Sequence, residues 1–485
     1  MRFERVLLIQ PEYPGSHYGK FHPPAGLGYV AESLLGAGIP YRVVDLGLDN
    51  DLRQVEAVVA DFRPDVMALS QMTYMYRNTY EMIRRIQALC GERPVVVGGP
   101  HASTLREDLL RRAPEVAYGV TLEGDEALVE LCRGDDLADI RGLLYRHSGE
   151  ARYTGDRPFI RDLDRVHFPT YEGFNLDRYQ FHDIDIATSR GCPFSCIFCS
   201  VKHAIGRPIR YRSPANVVDE IAYWHERGYR KFNFIDDNFT FDLDRAHAIC
   251  DEIARRGLAD LNLTVPNGVR ADRVNRDLLA HMRDVGFYYM AIGVEGGNDK
   301  VLKCLKKGER METIRQAIRD ATDLGYGVTL FFVVGTPGEV MADIHDSARV
   351  AREFPVIDAR FNNLIPTPKS ELYEWIEDRG LFVVDPEVYL NAETSWSDRP
   401  VFETPEFPVA ERVRALRYLR RVRKRIQRRA VARKMGRVGG FLARPVLPLV
   451  VNDFTERVVM HHRWLSRIAS RVLRVGGRQS AGSKT

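Results

Sequence analysis

Ile184-Asp185-Ile186-Ala187-Thr188-Ser189-Arg190-Gly191-Cys192-Pro193-Phe194-Ser195-Cys196-Ile197-Phe198-Cys199 reads as a short strand, 184–189, that runs straight into a loop with three cysteines. Spacings of three and then two residues let one tight loop aim Cys192, Cys196 and Cys199 at a common point. Thiolates placed this way can hold three irons of a cubane 4Fe–4S cluster and leave the fourth iron open to chelate a substrate or cofactor. The competing metal is zinc. A structural zinc site wants four ligands, usually as two spaced pairs, so here it needs His203 as the fourth.

Downstream, strand patterns at 231–235, 261–265, 288–294, 327–334 and 357–362 alternate with helical patterns at 214–227, 272–284, 312–324 and 339–353. Six successive βα units across 184–370 predict a partial (βα)6, TIM-like barrel with its chemistry at the carboxyl ends of the strands. Upstream, strands at 5–10, 41–45, 65–70, 94–98 and 116–120 alternate with helices at 27–36, 52–61, 78–89, 105–112 and 125–132. Five βα units in a row predict an α/β, doubly wound parallel, Rossmann-like domain over 1–140. Its ligand should sit outside the strand ends. The loops there are 11–24, with His17 and His22; Gly98-Gly99-Pro100-His101; and Glu123-Gly124-Asp125-Glu126. Residues 141–183, with a hairpin at 142–153, read as a connector, and 371–485 as a mostly helical basic region whose last ten residues are expected to be disordered.

Cys-Pro-Phe-Ser-Cys-Ile-Phe-Cys resembles the C-x-x-x-C-x-x-C signature of the radical S-adenosylmethionine superfamily, including the aromatic Phe198 before the third cysteine. The resemblance implies that the open iron binds S-adenosylmethionine. One electron from the reduced cluster, supplied by an external donor of flavodoxin or ferredoxin type, then releases a 5′-deoxyadenosyl radical that removes hydrogen from an unactivated C–H bond. It also implies cofactor contacts at Phe198, at Asp236 and Asp237 after the second barrel strand, at Asn267 and Arg270 after the third, at Glu295 ending the fourth, and at Gly335 ending the fifth. Pro366-Thr367-Pro368-Lys369-Ser370 departs from the Pro-Gly-Thr usual after the sixth strand. No general acid or base is assigned.

Pro23-Pro24-Ala25-Gly26-Leu27-Gly28-Tyr29, the Gly98–His101 turn and the acidic 123–126 loop resemble the cobalamin-binding half of the cobalamin-dependent subclass. Gly99 and His101 are the cobalamin contacts this implies. No D-x-H-x-x-G motif is present, so a lower ligand from that motif is not expected. The function implied is cobalamin-dependent methylation of an unactivated carbon in a secondary metabolite or lipid. The alternatives are a radical dehydratase, cyclase or oxidoreductase with a non-functional cobalamin domain, or a metal-binding scaffold without enzymatic activity.

At 485 residues and 45% apolar composition the chain should divide into two or three domains. Seven cysteines, an odd number, argue against a disulfide framework. Cys90, Cys132, Cys250 and Cys304 read as small buried hydrophobes. Neither an export signal nor an apolar run of spanning length is visible, so a cytoplasmic location is expected. The net charge of +4 conceals a local excess: residues 411–450 hold fourteen Lys or Arg against Glu411 alone. That segment is open to three readings, namely a membrane-surface helix, a nucleic-acid contact or a solvated helix packed on the barrel. Nothing upstream resembles a nucleic-acid-binding module, so no nucleic-acid partner is expected.

Overall fold

A computed structural model of the chain describes residues 3–12, 21–391, 398–453 and 455. His17 and the last ten residues lie outside them. The first five strands are β1 (Val6–Gln10), β2 (Tyr41–Asp45), β3 (Val66–Ser70), β4 (Val95–Gly98) and β5 (Tyr118–Val120). They pair in parallel in the order β2-β1-β3-β4-β5. A strand sends successive side chains to opposite faces, and here both faces are apolar: Val6 and Leu8 enter one core, Leu7 and Ile9 the other. Val66 and Ala68 against Met67 and Leu69 repeat the division in β3. Helices therefore cover both faces, as a parallel sheet requires.

Two features depart from the sequence reading. The hairpin β6 (Leu143–His147) and β7 (Glu150–Tyr153), expected within a connector, is hydrogen-bonded antiparallel to β5 and completes a seven-stranded sheet. Leu143 and Leu144 explain it, because each is buried in a different one of the two cores. After β4 no loop intervenes: the helix Pro100–Leu105 begins at once, with Pro in its first turn, and carries His101 into the interior.

The second sheet holds β8 (Ile184–Ile186), β11 (Lys231–Phe234), β12 (Asn262–Val269), β13 (Phe287–Glu295), β14 (Gly327–Val334) and β15 (Asp358–Asn363), all parallel and in sequence order. β8 and β15 are its two edges, so the barrel is partial. The expected first strand divides. After Ile186 the chain leaves the sheet, and β9 (Ser189–Arg190) pairs antiparallel with β10 (Arg210–Tyr211). β12 is longer than expected because Pro266, which has no N–H to donate, sits in a register shift rather than at a strand end.

The barrel core, with Phe232, Phe234, Phe287 and Phe332, extends to Leu416, Leu419, Val422 and Ile426 of the helix Val409–Lys434. Each such buried aliphatic contributes about 2 kcal/mol. Arg423 of the same helix makes a two-oxygen ion pair with Asp358. The first part of the basic region is therefore a brace on the barrel. Cys132 and Cys250 are buried as expected, whereas Cys90 is half-buried and Cys304, at the end of the short helix Asp299–Cys304, is exposed. No helix among the described residues is long and apolar enough to cross a membrane.

Candidate active site between the two sheets

The cysteine loop is held from below and from both sides. Gly191 adopts φ 96°, and a Cβ there would stand 2.2 Å from the Pro208 carbonyl oxygen, so the turn accepts only glycine. The Cys192 amide donates to Gly206 O at 3.2 Å. Ile197, buried in the core, donates to Leu305 O at 3.1 Å and accepts from the Leu372 amide at 3.0 Å. Phe194 lies under the Arg270 guanidinium at 3.5 Å and meets Phe241 edge-on. Phe198 is half-buried and packs into the core shared by both sheets.

All three cysteines are free and half-buried. Burial raises their thiol pKa values, that of Cys199 to about 11, and Cys199 senses charge on both Cys196 and Cys192. Lys307 and Arg270 oppose the rise at Cys192 and Cys196. Three soft donors beside two buried cations suit an anionic iron–sulfur cluster. Among the described residues no three His, Cys, Asp or Glu side chains converge as a single ion requires, whereas a cube spreads its thiolates over three irons. Burial lowers the pKa of the His203 imidazole, whose Nε2 has no hydrogen-bond partner among the described residues.

The structure gives several expected contact residues a different task. Asp236, 2% exposed, accepts hydrogen bonds from the Thr188 and Ser189 amides at 2.6 and 3.3 Å and from their hydroxyls at 2.5 and 2.9 Å. Its carboxylate thereby positions the strand end that delivers Arg190 and Cys192. Asp237 is the free neighbour. It has no hydrogen-bond partner among the described residues, and burial together with Asp236 pushes its pKa up to about 6. Arg270 is buried, donates to Lys307 O at 2.8 Å and to Asp272 at 2.9 Å, and so props Phe194. Asn267 donates to Ile235 O at 2.5 Å and joins two strand ends.

Glu295 stands at φ 64°, a conformation that non-glycine residues adopt only when neighbours impose it. The neighbour is Lys307, whose ammonium lies 3.3 Å from Glu295 and 3.3 Å from Glu309. Burial alone would lower the Lys307 pKa, but the two carboxylates outweigh it and hold the group above its ordinary value. Gly293 leaves room for this pair, since a Cβ there would fall 2.6 Å from the Glu295 carboxylate. Gly335 is buried against Arg412, and its amide donates to Glu339 at 2.6 Å.

A cavity of about 330 Å³ opens between the carboxyl ends of the two sheets. Leu8, Ala68, Val96 and Val120 give its first-sheet wall, and Ser189, Arg190, Asp236 and Asp237 its barrel wall. At Gly26 an added Cβ meets nothing within 4 Å, and at Gly98 and Gly124 nothing closer than 3.7 and 3.5 Å. Those glycines form an open cradle of the kind a flat macrocycle can approach. Gly99 lines the cavity but is dictated by the backbone, at φ 88° with Gln71 atoms 2.9 Å from the Cβ position. His101 is not in the lining. Its ring stacks on Tyr76 at 4.8 Å and shares a 2.7 Å hydrogen bond with the Tyr80 hydroxyl, and burial lowers its pKa to about 3. The expectation that it touches cobalamin is corrected, because the helix starting at Pro100 turns it into the core.

The acidic 123–126 loop joins the two halves. Arg190 is bound by both Asp125 oxygens at 2.9 and 3.1 Å and by Glu123 at 3.0 Å, over the face of Tyr29. Arg210 reaches Glu123 at 2.6 Å. Burial works against the Arg190 charge, yet the two carboxylates outweigh it and raise its pKa. Arg190, Arg210, Lys307 and Glu309 escaped the sequence reading; only the carboxylates of 123–126 gave a signal.

The Radical SAM superfamily model matches residues 186–351, and the B12 binding domain model matches 15–132. The chain belongs to the radical SAM superfamily. This radical SAM enzyme thus carries an associated cobalamin-binding domain, and the cofactor set that goes with the two domains is a 4Fe–4S cluster, S-adenosylmethionine and cobalamin. It is 28% identical over 388 residues to an uncharacterized methyltransferase of Pyrococcus horikoshii, covering 77% of this chain and 83% of that one. It is 25% identical to the anaerobic magnesium-protoporphyrin IX monomethyl ester cyclase of Cereibacter sphaeroides, over 77% of this chain and 64% of that one. Its fold is shared with the radical S-adenosylmethionine methyltransferase TsrM of Kitasatospora setae, solved with cobalamin and a 4Fe–4S cluster bound, at TM-score 0.69, 22% identity and coverage of 86% and 85%.

Proposed function

We propose that this radical SAM enzyme methylates an unactivated carbon of a secondary metabolite or lipid in the cavity between its two sheets. The observation that carries the proposal is that one cavity is walled by the first-sheet glycine cradle and by the strand end that delivers the cysteine loop. Cys192, Cys196 and Cys199 are the residues to hold the cluster, and the Gly26, Gly98 and Gly124 cradle is the place for the corrin. When bound, these groups supply a hydrogen-abstracting radical and a methyl donor.

The chain's own residues supply position and exclusion. Asp236 fixes the backbone at Thr188 and Ser189, Arg190 ties that backbone to Asp125 and Glu123, and Lys307 offsets negative charge at Cys196. Asp237, in the cavity wall and without a hydrogen-bond partner among the described residues, is the group to receive the amino end of S-adenosylmethionine. Leu8, Leu27, Val96 and Val120 keep the first-sheet side of the cavity apolar and exclude water from a reactive radical. Electrons come from an external flavodoxin- or ferredoxin-type donor.

Likeness to a cyclase favours a second reading, oxidative cyclisation in the same cavity. Methyl-deuterated S-adenosylmethionine separates the two. Anaerobically reconstituted enzyme, reduced with cobalamin present, should pass the labelled methyl group to cobalamin and then to product. Formation of 5′-deoxyadenosine with no labelled methyl transferred to either would reject methylation in favour of the cyclase class.

A further inference from the structure

The basic C-terminal region changes character part-way along the helix Val409–Lys434. Before Arg428 several of its cations are paired, Arg414 with Glu411, Arg420 with Asp398, Arg423 with Asp358 and Lys424 with Asp453. From Arg428 onward the pairing stops. Arg428, Arg429, Arg433 and Arg444 have no carboxylate within ion-pair distance among the described residues. They line, with Phe441 and Leu447, an open groove of about 780 Å³ against the helix Gly436–Ala443. Two of these arginines spend hydrogen bonds on backbone carbonyls instead, Arg428 on Val451 and Arg433 on Pro355 and Val356.

Where the carboxylates stop, the apolar exposure begins. Val438, Phe441, Leu442, Val446, Leu449 and Val450 are 52–74% exposed, a concentration found nowhere else on the described surface. Isolated apolar side chains on a surface need no cause, but a contiguous patch rimmed by one sign of charge marks a binding face. Past residue 455 the sequence keeps this composition, with Arg457, Arg463, Arg467, Arg471 and Trp464.

We propose that residues 428–450 dock this enzyme on the surface of an anionic phospholipid bilayer, with Phe441, Leu442 and the 446–450 turn entering the acyl boundary and the unpaired arginines meeting lipid phosphates. Charge complementarity selects this occupant: a neutral apolar partner leaves the arginines unmatched, and a second copy of this chain brings like charges together. The helices concerned are too short to span, which fits a face lying in the interfacial plane. The patch lies outside the cavity described above and the docking is independent of the reaction performed there.

The test uses the full-length protein and sedimentation with vesicles of phosphatidylcholine alone or mixed with phosphatidylglycerol. Partition into the phosphatidylglycerol vesicles should exceed that into phosphatidylcholine by about tenfold and fall as salt rises. Phe441→Ser with Leu442→Ser, and separately Arg429→Glu with Arg444→Glu, should each remove about tenfold of the partition, with circular dichroism and 5′-deoxyadenosine formation unchanged. Failure of the wild-type protein to sediment with phosphatidylglycerol vesicles overturns the proposal. Unaltered partition in both folded variants does so too. A solution dimer that Phe441→Ser dissolves would assign the face to a second copy and equally overturn it.

Discussion

Lys307 shows how much one side chain carries at this site. Its ammonium is buried between Glu295 and Glu309 and acts on Cys196. Lys307→Met leaves two buried carboxylates facing each other, which should cost about 3–5 kcal/mol. Urea unfolding of the cluster-free protein measures it, and a loss below about 1 kcal/mol would mean that the pair behaves as a surface contact. Cys196→Ala should abolish 5′-deoxyadenosine formation while leaving that unfolding transition nearly unchanged, because the thiol is only half-buried. His101 predicts a pH dependence with a definite sign. Its folded pKa lies near 3, below the ordinary 6.5, so the unfolded chain takes up the extra proton between those values. Its contribution to stability is complete above about pH 6.5 and is lost as pH falls toward 3, with a slope of at most about 1.4 kcal/mol per pH unit. Urea titrations of wild type and His101→Phe across that window should diverge in slope, and parallel curves would contradict the assignment of a neutral buried imidazole.

Among the elements, the β9–β10 hairpin joins the cysteine loop to the first sheet through Arg190, Arg210, Glu123 and Asp125. Arg190 is largely enclosed and paired through both Asp125 oxygens, so a double-mutant cycle of Arg190→Lys and Asp125→Asn should give a coupling of about 1–3 kcal/mol in urea unfolding. A coupling indistinguishable from zero would make the hairpin an accidental neighbour. This connection was not legible in the sequence, because Arg190 and Asp125 are separated by 65 positions and nothing in either segment names the other. Strands were legible where both faces are buried: β1, β3 and β14 are runs of apolar residues bounded by turn residues. β6 and β7 were visible as a hairpin but their partner was not, since only the burial of Leu143 and Leu144 on opposite faces reveals it. The cysteine spacing was legible because thiol chemistry depends on identity and local spacing alone. Asp236 was singled out in the sequence as a cofactor contact, whereas its hydrogen bonds to Thr188 and Ser189, which reach it from another strand, were not legible there.

For the whole molecule, two sheets share one core, which runs from Val55 and Ile83 through Ile197 of the cysteine loop to Leu372 and Phe402. The long C-terminal helix then closes the barrel side, and Leu419→Ala at its fully buried contact should cost about 2–5 kcal/mol and lower the melting temperature with little effect on cluster content. The cavity between the sheets has one wall that delivers the cysteines and another that holds the glycine cradle. The central claim is that Cys192, Cys196 and Cys199 hold a cube at that cavity with one iron left for S-adenosylmethionine. Iron and acid-labile sulfide, assayed after anaerobic reconstitution and read alongside the electron paramagnetic resonance of the reduced protein, test it most directly. The account predicts about four of each per chain, a reduced-cluster signal that shifts when S-adenosylmethionine is added, and neither in Cys196→Ala. Zinc in place of iron, or a reduced signal indifferent to S-adenosylmethionine, would contradict it.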